Sequence, residues 1–356
     1  MTGIRDLARH LDISIGTVSR ALNDRADVNA ETRSRVREAA ARLGYSPNQS
    51  GRSLRRGRTD LVGVIIPTGG DQTLITPVFL SVLDGLRRRL SEQRLDLAVF
   101  LHGPDDPLFG ALRRLTERGL VDGLIIANTQ QVDPRIDYLI ERRRPFVAFG
   151  RSLSGGDHPW VDPDFTRAAE SAVEMLCEFG HRRIALMLPI GETNYFHLIL
   201  EAYRRAMQRH GLPIERAFVQ RRAAGEDGGY LAGEAFLAER KPPTAILVSE
   251  AIQSLGLYRK LNEAGLRPGR DVSLIGILPE ERAKILSPAL TTFQTDWTAI
   301  GVRLGEALIS AMARPSAARP ERHSKTGAAL RPIRTIQSIM PVALRAGESV
   351  DRPRDS

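Results

Sequence analysis

The sequence predicts a small all-α domain followed by a larger α/β region with two doubly wound parallel sheets. Three observations predict this fold class. Apolar residues recur at helical spacing over residues 4–43, and apolar runs typical of buried strands alternate with helical stretches from residue 61 onward. That alternation passes through two successive rounds, and a chain of 356 residues is too long for one ordinary hydrophobic core.

The N-terminal segment is predicted to form a helix, a tight turn and a second helix. Leu7 and Leu11 fall on one face of the first helix, residues 12–14 interrupt the pattern, and Ser14 is placed to cap the second helix. Val18 then resumes the apolar spacing. Such a pair is typical of a helix-turn-helix unit, whose second helix enters the DNA major groove, although many short helix pairs serve only for packing.

A third helix is predicted to begin after Asn29, its capping residue, and to end at Gly44. Residues 47–60 then form a linker that is rich in arginine. Composition alone leaves two readings of this linker open. It is either a solvated basic tether or a short helix that becomes ordered on DNA.

The net charge of +9 is concentrated at the two ends of the chain. Residues 1–58 contain twelve arginines and six acidic residues, and residues 313–356 contain nine basic and four acidic residues. A basic head on a near-neutral body fits a phosphate-binding module attached to a sensor. Because only four of the 51 basic residues are lysine, genomic base composition is an alternative cause of the excess.

Several function classes are disfavoured by the sequence. No apolar run approaches the ~18 residues of a membrane span, and the charged N-terminus does not resemble a signal peptide, so we expect a cytoplasmic protein without a membrane partner. We find no nucleophile elbow, phosphate loop or metal-binding motif, and therefore expect no enzyme, no catalytic residue, no cofactor and no metal site. Cys177 is expected to be a buried helix residue and His181 a turn residue.

The α/β region is predicted from its alternating pattern. The first round is expected to place strands at 61–67, 95–101, 123–127 and 145–149, with helices at 77–93, 109–118 and 133–143. The second round is expected to place strands at 183–188, 217–221, 244–249 and 272–277, with helices at 164–180, 196–210, 226–240 and 251–265. A helix near 298–313 follows, then a flexible loop, a last strand within 330–342 and a disordered tail.

Four motifs of the N-terminal region resemble the headpiece and hinge of the LacI family of bacterial transcription regulators. They are TVSRALN at 17–23, VNAETRSRV at 28–36, LGYSPN at 43–48 and RSLRRGRT at 52–59. The resemblance implies a sensor of the periplasmic-binding-protein type, with a ligand crevice between two lobes. It also implies a homodimer bound to a palindromic double-stranded DNA operator. No leucine heptad that would form a tetramer follows.

The resemblance also implies which residues bind DNA. Ile15, Gly16 and Arg20 match base-reading positions, and Thr17 and Ser19 match phosphate contacts. Because arginine can contact guanine through two hydrogen bonds, Arg20 is the strongest candidate base reader. The linker and turn positions that the family implies as DNA contacts are Asn23, Asn48, Leu54 and Arg55, with Leu54 as the side chain that wedges open a base step.

The effector crevice is implied by a second set of positions, which are Phe79, Arg151, Trp160, Tyr203 and Glu250. Phe149-Gly150-Arg151 together with His158-Pro159-Trp160 resembles regulators of α-glucosides and related sugars. Four positions depart from the family. Gly150 replaces a usual acid and Glu250 a usual aspartate. Ile199 replaces a usual arginine and Leu278 a usual acid, and these two losses favour a larger, less polar ligand than a monosaccharide, or no ligand.

The predicted domains are 1–46 as headpiece and 47–60 as hinge. The first lobe is expected to comprise 61–161 with about 291–320, the second lobe 162–290 with about 330–345, and the disordered tail 346–356. The favoured function is a dimeric repressor that a sugar or glycoside effector releases from DNA. An effector-blind repressor and a solute-binding receptor without gene control remain alternatives, and the sequence leaves open whether the ligand weakens or strengthens DNA binding.

Overall fold

The structure is a computed structural model, and it describes residues 3–22, 25, 27–45, 58–67, 76–102, 108–278, 285–313 and 335–354. The chain divides into two compact units, Met1–Thr59 and Asp60–Ser356. The smaller unit contains the headpiece, and the larger unit contains the two α/β lobes. Within the described residues there is no helix with the length and apolar character that a membrane crossing requires.

Three helices form the headpiece, as predicted. They are Ile4–Leu11 (α1), Ile15–Leu22 (α2) and Ala30–Arg42 (α3). Asp12 adopts a left-handed backbone conformation (φ 50°) and ends α1, so that the chain turns sharply toward the next helix. Eight apolar side chains from the three helices and the loop before α3 form the core: Leu7, Ala8, Val18, Ala21, Val28, Val36, Ala39 and Ala40.

The first lobe of the sensor contains a six-stranded, fully parallel sheet. In chain order its strands are Leu61–Pro67 (β1), Asp96–His102 (β2), Gly123–Ile126 (β3), Phe146–Phe149 (β4), Trp160–Pro163 (β5) and Gln337–Met340 (β11), arranged spatially as β11-β5-β4-β3-β1-β2. The helices on its two faces are Pro77–Ser91 (α4), Leu108–Glu117 (α5), Pro134–Glu141 (α6) and Trp297–Met312 (α11). Central strands such as β3 are buried on both faces, which explains their continuous apolar sequences.

The second lobe contains another six-stranded sheet. Its strands are Ile184–Pro189 (β6), Val219–Arg222 (β7), Ala245–Glu250 (β8), Ser273–Leu278 (β9), Thr291–Gln294 (β10) and Ala343–Arg345 (β12), arranged spatially as β12-β10-β9-β8-β6-β7. Only β12 among these strands runs antiparallel, along β10. The helices are Phe165–Glu178 (α7), Asn194–Arg209 (α8), Glu226–Leu237 (α9) and Gln253–Glu263 (α10), with a short 3₁₀ turn at Arg216–Phe218. The predicted doubly wound lobes are confirmed.

The predicted lobe boundaries are wrong at the two later crossings. We assigned 291–320 to the first lobe, but β10 pairs with β9 in the second sheet, and only α11 packs on the first lobe. We assigned 330–345 to the second lobe, but β11 pairs with β5 in the first sheet, and only β12 joins the second. The chain passes from the second lobe to the first between β10 and α11, and returns to the second lobe between β11 and β12. The predicted boundaries assigned each of these segments to one lobe as a whole, and therefore placed both crossings wrongly.

The C-terminal tail was predicted to be disordered over 346–356, and this prediction is wrong for residues 346–354. Ser349 is fully buried, accepts a hydrogen bond from the amide of Thr291 (2.8 Å) and donates one to the carbonyl of Leu274 (2.6 Å). The backbone carbonyl of Ser349 also accepts from the amide of Leu274 (2.7 Å), and the amide of Glu348 donates to the carbonyl of Ala289 (2.8 Å). The segment therefore extends the second lobe by backbone pairing that its polar sequence does not reveal. Cys177 is buried on α7, as expected, whereas the flexible loop predicted over 314–325 lies outside the described residues.

Candidate functional site

The headpiece presents one exposed face of α2. The hydroxyl of Ser14 accepts a hydrogen bond from the amide of Thr17 (3.0 Å), which confirms its predicted role as the cap. Val18 and Ala21 are completely buried, and they fix the rotation of α2 about its axis. The rest of the helix surface is partly or fully exposed, and it carries all three predicted base readers: Ile15, Gly16 and Arg20.

Arg20 is available to a ligand. Its Nε atom lies 3.5 Å from a carboxylate oxygen of Asp27, and both side chains are more than half exposed (52% and 61%). An exposed ion pair of this kind contributes at most about 1 kcal/mol, so the guanidinium can exchange Asp27 for a base edge at little cost. Gly16 is exposed, and a Cβ atom added to it would lie no closer than 3.6 Å to the surrounding side chains. The backbone at Gly16 is therefore accessible to a DNA base.

Two other predicted DNA contacts are half-buried in the headpiece. The hydroxyl of Thr17 lies 2.9 Å from that of Ser14, and Ser19 follows Val18 on the same helix.

Four predicted contacts, Asn23, Asn48, Leu54 and Arg55, lie outside the described residues. Arg33, which the sequence analysis did not single out, donates to the carbonyls of Arg25 and Val28 (3.0 Å each) and thereby holds the loop before α3.

A cavity of about 370 Å³ lies between the two lobes of the sensor. Its walls include residues that follow the carboxyl ends of β3, β4 and β8. This is the position at which ligands bind in open parallel sheets, because the loops of both lobes converge there. The volume lies near the lower end of the range for ligand pockets, ~300–1,000 Å³.

The cavity has an apolar side made largely of aromatic rings. Phe79 and Phe149 are stacked, with ring centroids 6.5 Å apart and an angle of 16° between the rings. Trp297, Phe165 and Leu278 also line the cavity. Flat apolar surfaces of this type can cover the C–H face of a sugar ring or an aglycone.

Arg151 and Asp162 line the first-lobe side of the cavity and form an ion pair. The Nε atom of Arg151 donates to a carboxylate oxygen of Asp162 at 2.6 Å, while its Nη2 atom is buried without a hydrogen-bond partner. Burial raises the pKa of Asp162, but protonation would leave the guanidinium buried without a counter-charge, so we assign the pair as ionic at neutral pH. The preceding Gly150 has φ 113°, a backbone conformation that only glycine adopts readily.

Tyr195 and Glu250 provide polar groups on the second-lobe side. The hydroxyl of Tyr195 donates a short hydrogen bond to Oε1 of Glu250. Burial, followed by the charge of Glu250, raises the pKa of the Tyr195 phenol well above its ordinary value. The phenol therefore stays protonated and fixes one carboxylate oxygen in the cavity wall.

Three predicted effector residues, Phe79, Arg151 and Glu250, line the cavity, and two do not. Tyr203 is wrong because it is completely buried in the core of the second lobe, where its hydroxyl donates to the carbonyl of Ile184 (2.8 Å). Trp160 is wrong because its ring packs on the other side of the first sheet, with the Arg151 guanidinium 5.9 Å from the ring centroid. Ile199, discussed above as a departure, is also buried in the core rather than placed at the cavity.

The sequence analysis did not predict most of the cavity lining, including four polar or aromatic residues: Asp162, Asn194, Tyr195 and Trp297. Asn194 and Tyr195 open a helix shortly after the carboxyl end of β6, a position at which ligand contacts are common in parallel sheets. That position was the signal that could have found them. Trp297 carries no such signal, because it opens α11 just after the second crossing.

Comparisons with known proteins agree with both units. The sequence matches a family model described as bacterial regulatory proteins, lacI family, over residues 3–48, and one described as periplasmic binding protein-like domain over residues 173–332. It is 36% identical over 312 residues to the HTH-type transcriptional regulator AglR of Rhizobium meliloti (strain 1021), and the match covers 86% of each chain.

Two solved structures share the fold. The Lac repressor dimer bound to operator and the anti-inducer ONPF has a TM-score of 0.81 at 22% identity, covering 98% of this chain and 99% of that chain. The transcriptional regulator CelR in complex with cellobiose has a TM-score of 0.69 at 23% identity, covering 98% of this chain and all of that chain. Taken with the match to AglR over most of both sequences, they lead to one conclusion: the chain belongs to the LacI family and is a DNA-binding transcriptional regulator rather than an enzyme.

Proposed function

We propose that this regulator is a cytoplasmic repressor that binds a palindromic operator as a homodimer and is released by a sugar or glycoside bound in the crevice. One headpiece offers a single short reading helix, so two copies related by a twofold axis are needed to read a long site. The operator-bound dimer of the structurally similar Lac repressor supports this arrangement.

The combination of an apolar ring surface with polar pairs in one cavity is the observation that carries the effector assignment. Arg151, paired with Asp162, and Glu250, paired with Tyr195, line the cavity and can hydrogen-bond to the hydroxyl groups of a ligand. The stacked pair of Phe79 and Phe149 supplies an apolar surface in the same cavity. Hydroxyl oxygens beside apolar ring faces are the chemistry of a sugar, and the cellobiose complex of CelR supports this class.

An effector-blind repressor is the second candidate, and Leu278 is the observation that favours it. This residue lines the cavity at a position where family members usually have an acid, so one expected polar contact is lost. The alternative of a solute-binding receptor without gene control is not retained, since the family consists of gene regulators.

Operator recognition is tested by fluorescence anisotropy on a palindrome with a central CG step and on a scrambled duplex, each at two salt concentrations. We expect a preference for the palindrome of at least ~10³. Arg20→Ala should weaken binding to the palindrome by about 5- to 150-fold, because a bidentate arginine–guanine contact supplies roughly 1–3 kcal/mol, and should leave the scrambled duplex unchanged.

Arg9→Ala is the matched control for this experiment. Arg9 is 81% exposed on α1, so losing it removes the same charge without removing a base reader. Arg9→Ala should lower the affinity for both duplexes by the same factor, or leave both affinities unchanged. Equal binding of wild type to both duplexes, falling steeply with salt, would mean that the headpiece makes phosphate contacts only.

Effector control is tested in the same assay with maltose, trehalose, sucrose and melibiose, alongside calorimetry of the protein without DNA. At least one sugar should give saturable heat and lower the anisotropy of the operator complex. Saturable heat together with stronger DNA binding would support a sugar effector, but one that strengthens the binding of the regulator to its operator. Absence of heat with every sugar would favour the effector-blind repressor.

A further inference from the structure

Asn194 connects the two lobes at the edge of the cavity. Its backbone N–H donates to the carbonyl of Thr129 at 2.8 Å, and its Nδ2 atom donates to the carbonyl of Arg151 at 2.7 Å. Next to it, Thr193 forms an isolated antiparallel bridge with Gln130. Thr129 and Arg151 belong to the first lobe and Asn194 to the second, so these contacts join the lobes in addition to the three chain crossings.

On the first-lobe side, the two acceptor loops are tied together. The amide of Leu153 donates to the carbonyl of Gln131 (2.8 Å), and the amide of Asp133 donates to the hydroxyl of Ser154 (2.8 Å). Asp133 is completely buried and is paired with Arg135 through two hydrogen bonds, of 2.6 and 2.8 Å. The acceptor carbonyls therefore lie on a braced platform and not on independent loops.

On the second-lobe side, the donor lies at the start of α8. Asn194 is the first residue of that helix, so its backbone N–H has no partner within the helix and is free to bond elsewhere. Its side chain is only 6% exposed, and the amide group is directed across the lobe boundary. Any opening of the crevice that moves α8 from the platform breaks both hydrogen bonds.

We propose that Asn194 is an interlobe latch that populates the closed crevice before the effector arrives and positions Arg151 within it. Arg151 joins the two roles, since its backbone carbonyl accepts a hydrogen bond from Asn194 and the residue lines the cavity. The part of the proposal that concerns the effector rests on the proposed function. The part that concerns the closed crevice does not.

The effect of the latch follows from population arithmetic. Loss of the hydrogen bond from the Asn194 side chain to the Arg151 carbonyl is expected to lower the ratio of closed to open molecules by about 5-fold. A carboxylate at position 194 would place an acceptor against that carbonyl, and is expected to lower the ratio by about 10-fold. An effector that contacts Arg151 on one lobe and Glu250 on the other binds the closed form. Its apparent affinity therefore falls with the closed fraction.

The closing experiment measures the lobe-to-lobe distance without any ligand. Donor and acceptor dyes are attached at exposed positions on the two lobes, Arg118→Cys and Arg240→Cys, in a Cys177→Ala background, and single-molecule energy transfer gives the closed fraction. Asn194→Asp replaces the donating amide by an isosteric acceptor. Asn194→Ala removes the side chain without repulsion and serves as a second variant.

Asn262→Asp is the matched control, because it makes the same chemical change at an exposed position on α10. We expect the ratio of closed to open molecules to fall about 10-fold in Asn194→Asp and about 5-fold in Asn194→Ala, with the control unchanged. A residue that only supports local folding would lower the melting temperature without shifting this ratio. Ratios within twofold of wild type in both Asn194 variants would overturn the proposal.

A sugar titration separates this proposal from the proposed function. If a sugar from the panel above binds wild type, Asn194→Asp should weaken it by about 3- to 10-fold, and saturating sugar should restore the closed fraction. If no sugar binds but the closed fraction still falls in the variants, the latch stands and the sugar effector is wrong. If a sugar binds equally well to wild type and to both variants, the coupling between latch and effector is wrong.

Discussion

His181 shows how a single residue can hold a chain terminus. Its Nε2 atom lies 2.8 Å from the carbonyl oxygen of Asp351, and its Nδ1 atom lies 2.9 Å from the hydroxyl of Thr244. Because a carbonyl can only accept, Nε2 carries a proton. Burial lowers the pKa of the imidazole, so we assign the ring as neutral at neutral pH. The imidazole is 1% exposed, so it links the C-terminal segment to the buried side of the second lobe.

We predict that His181 makes stability depend on pH below neutrality. Burial lowers its pKa from the ordinary 6.5 in the folded protein, and the Asp351 carbonyl only partly opposes this. Above pH 6.5 the ring is neutral in both states and its contribution is complete. As the pH falls from 6.5 toward the lower folded pKa, the unfolded chain binds a proton that the folded chain does not, and stability falls by at most about 1.4 kcal/mol per pH unit.

The measurement is urea unfolding of wild type and His181→Gln at pH 7.5 and 5.5. The variant should be less stable by about 1–3 kcal/mol at pH 7.5, since it loses buried hydrogen bonds, and the difference should narrow at pH 5.5. His210→Gln, at an exposed position just after α8, is the control and should match wild type at both values. A constant difference between His181→Gln and wild type would contradict the prediction.

At the residue scale, the resemblance to the family predicted some cavity residues and missed others. Arg151 was predicted because Phe149-Gly150-Arg151 resembles a strand end of family members, and it does line the cavity. Tyr203 and Tyr195 are both helix tyrosines, and their positions along the chain do not reveal which one faces the cavity. The difference arises from the rotation of α8, which packs Tyr203 into the core and leaves Tyr195 beside Glu250.

At the scale of elements, one helix pair in the first lobe packs unusually closely. A Cβ added to Gly301 on α11 would lie 2.0 Å from the carbonyl oxygen of Val82 on α4, and one added to Gly85 would lie 2.0 Å from the carbonyl oxygen of Thr298. Real side chains cannot approach a backbone oxygen so closely. The two glycines thus set the distance between α4 and α11.

We predict that Gly301→Ala destabilises the protein more than Gly305→Ala does. At Gly301 the obstacle is backbone at 2.0 Å, so the helices must separate, at a cost of roughly 1–3 kcal/mol. At Gly305, one turn later, the nearest atoms are Cβ and Cγ of Arg89 at 2.9 Å, so the helices need to separate by less. There the gain in helix propensity, up to about 1 kcal/mol, offsets part of the cost.

Thermal and urea unfolding of the two variants test this prediction directly. Gly305→Ala is the matched control, since both substitutions add one methyl group to the same helix. Equal midpoints for the two variants would contradict the prediction. A lower midpoint for Gly301→Ala than for Gly305→Ala would assign the close backbone approach at Gly301 a role in stability.

Elements were predictable from the sequence where they are buried and periodic. The strand β8 is buried over nearly its whole length, and its apolar run predicts it well. The short strands β11 and β12 alternate or are exposed, and they join different sheets although only two residues separate them. Their assignment depends on tertiary pairing, which no local pattern of the sequence contains.

At the scale of the whole molecule, the two compact units differ greatly in the size of their cores. The headpiece core comprises eight small or medium apolar residues, whereas the sensor contains four larger apolar clusters on the faces of its sheets. A domain of about 45 residues buries too small a fraction of its surface to be very stable. The sensor, by contrast, has the core of an independent folding unit.

We therefore predict that separating the units leaves a stable sensor and a weak DNA binder. Fragment 60–356 should unfold with the same midpoint as the sensor transition of the full chain, bind the same sugar and show no operator binding. Fragment 1–59 should bind the palindrome about 10²–10⁴-fold more weakly than the full chain, because untethered headpieces lose the effective concentration that a dimer provides. Calorimetric unfolding and anisotropy on all three chains measure these quantities. A fragment 1–59 that binds as tightly as the full chain would mean that a single headpiece carries the recognition and that the dimer is not needed.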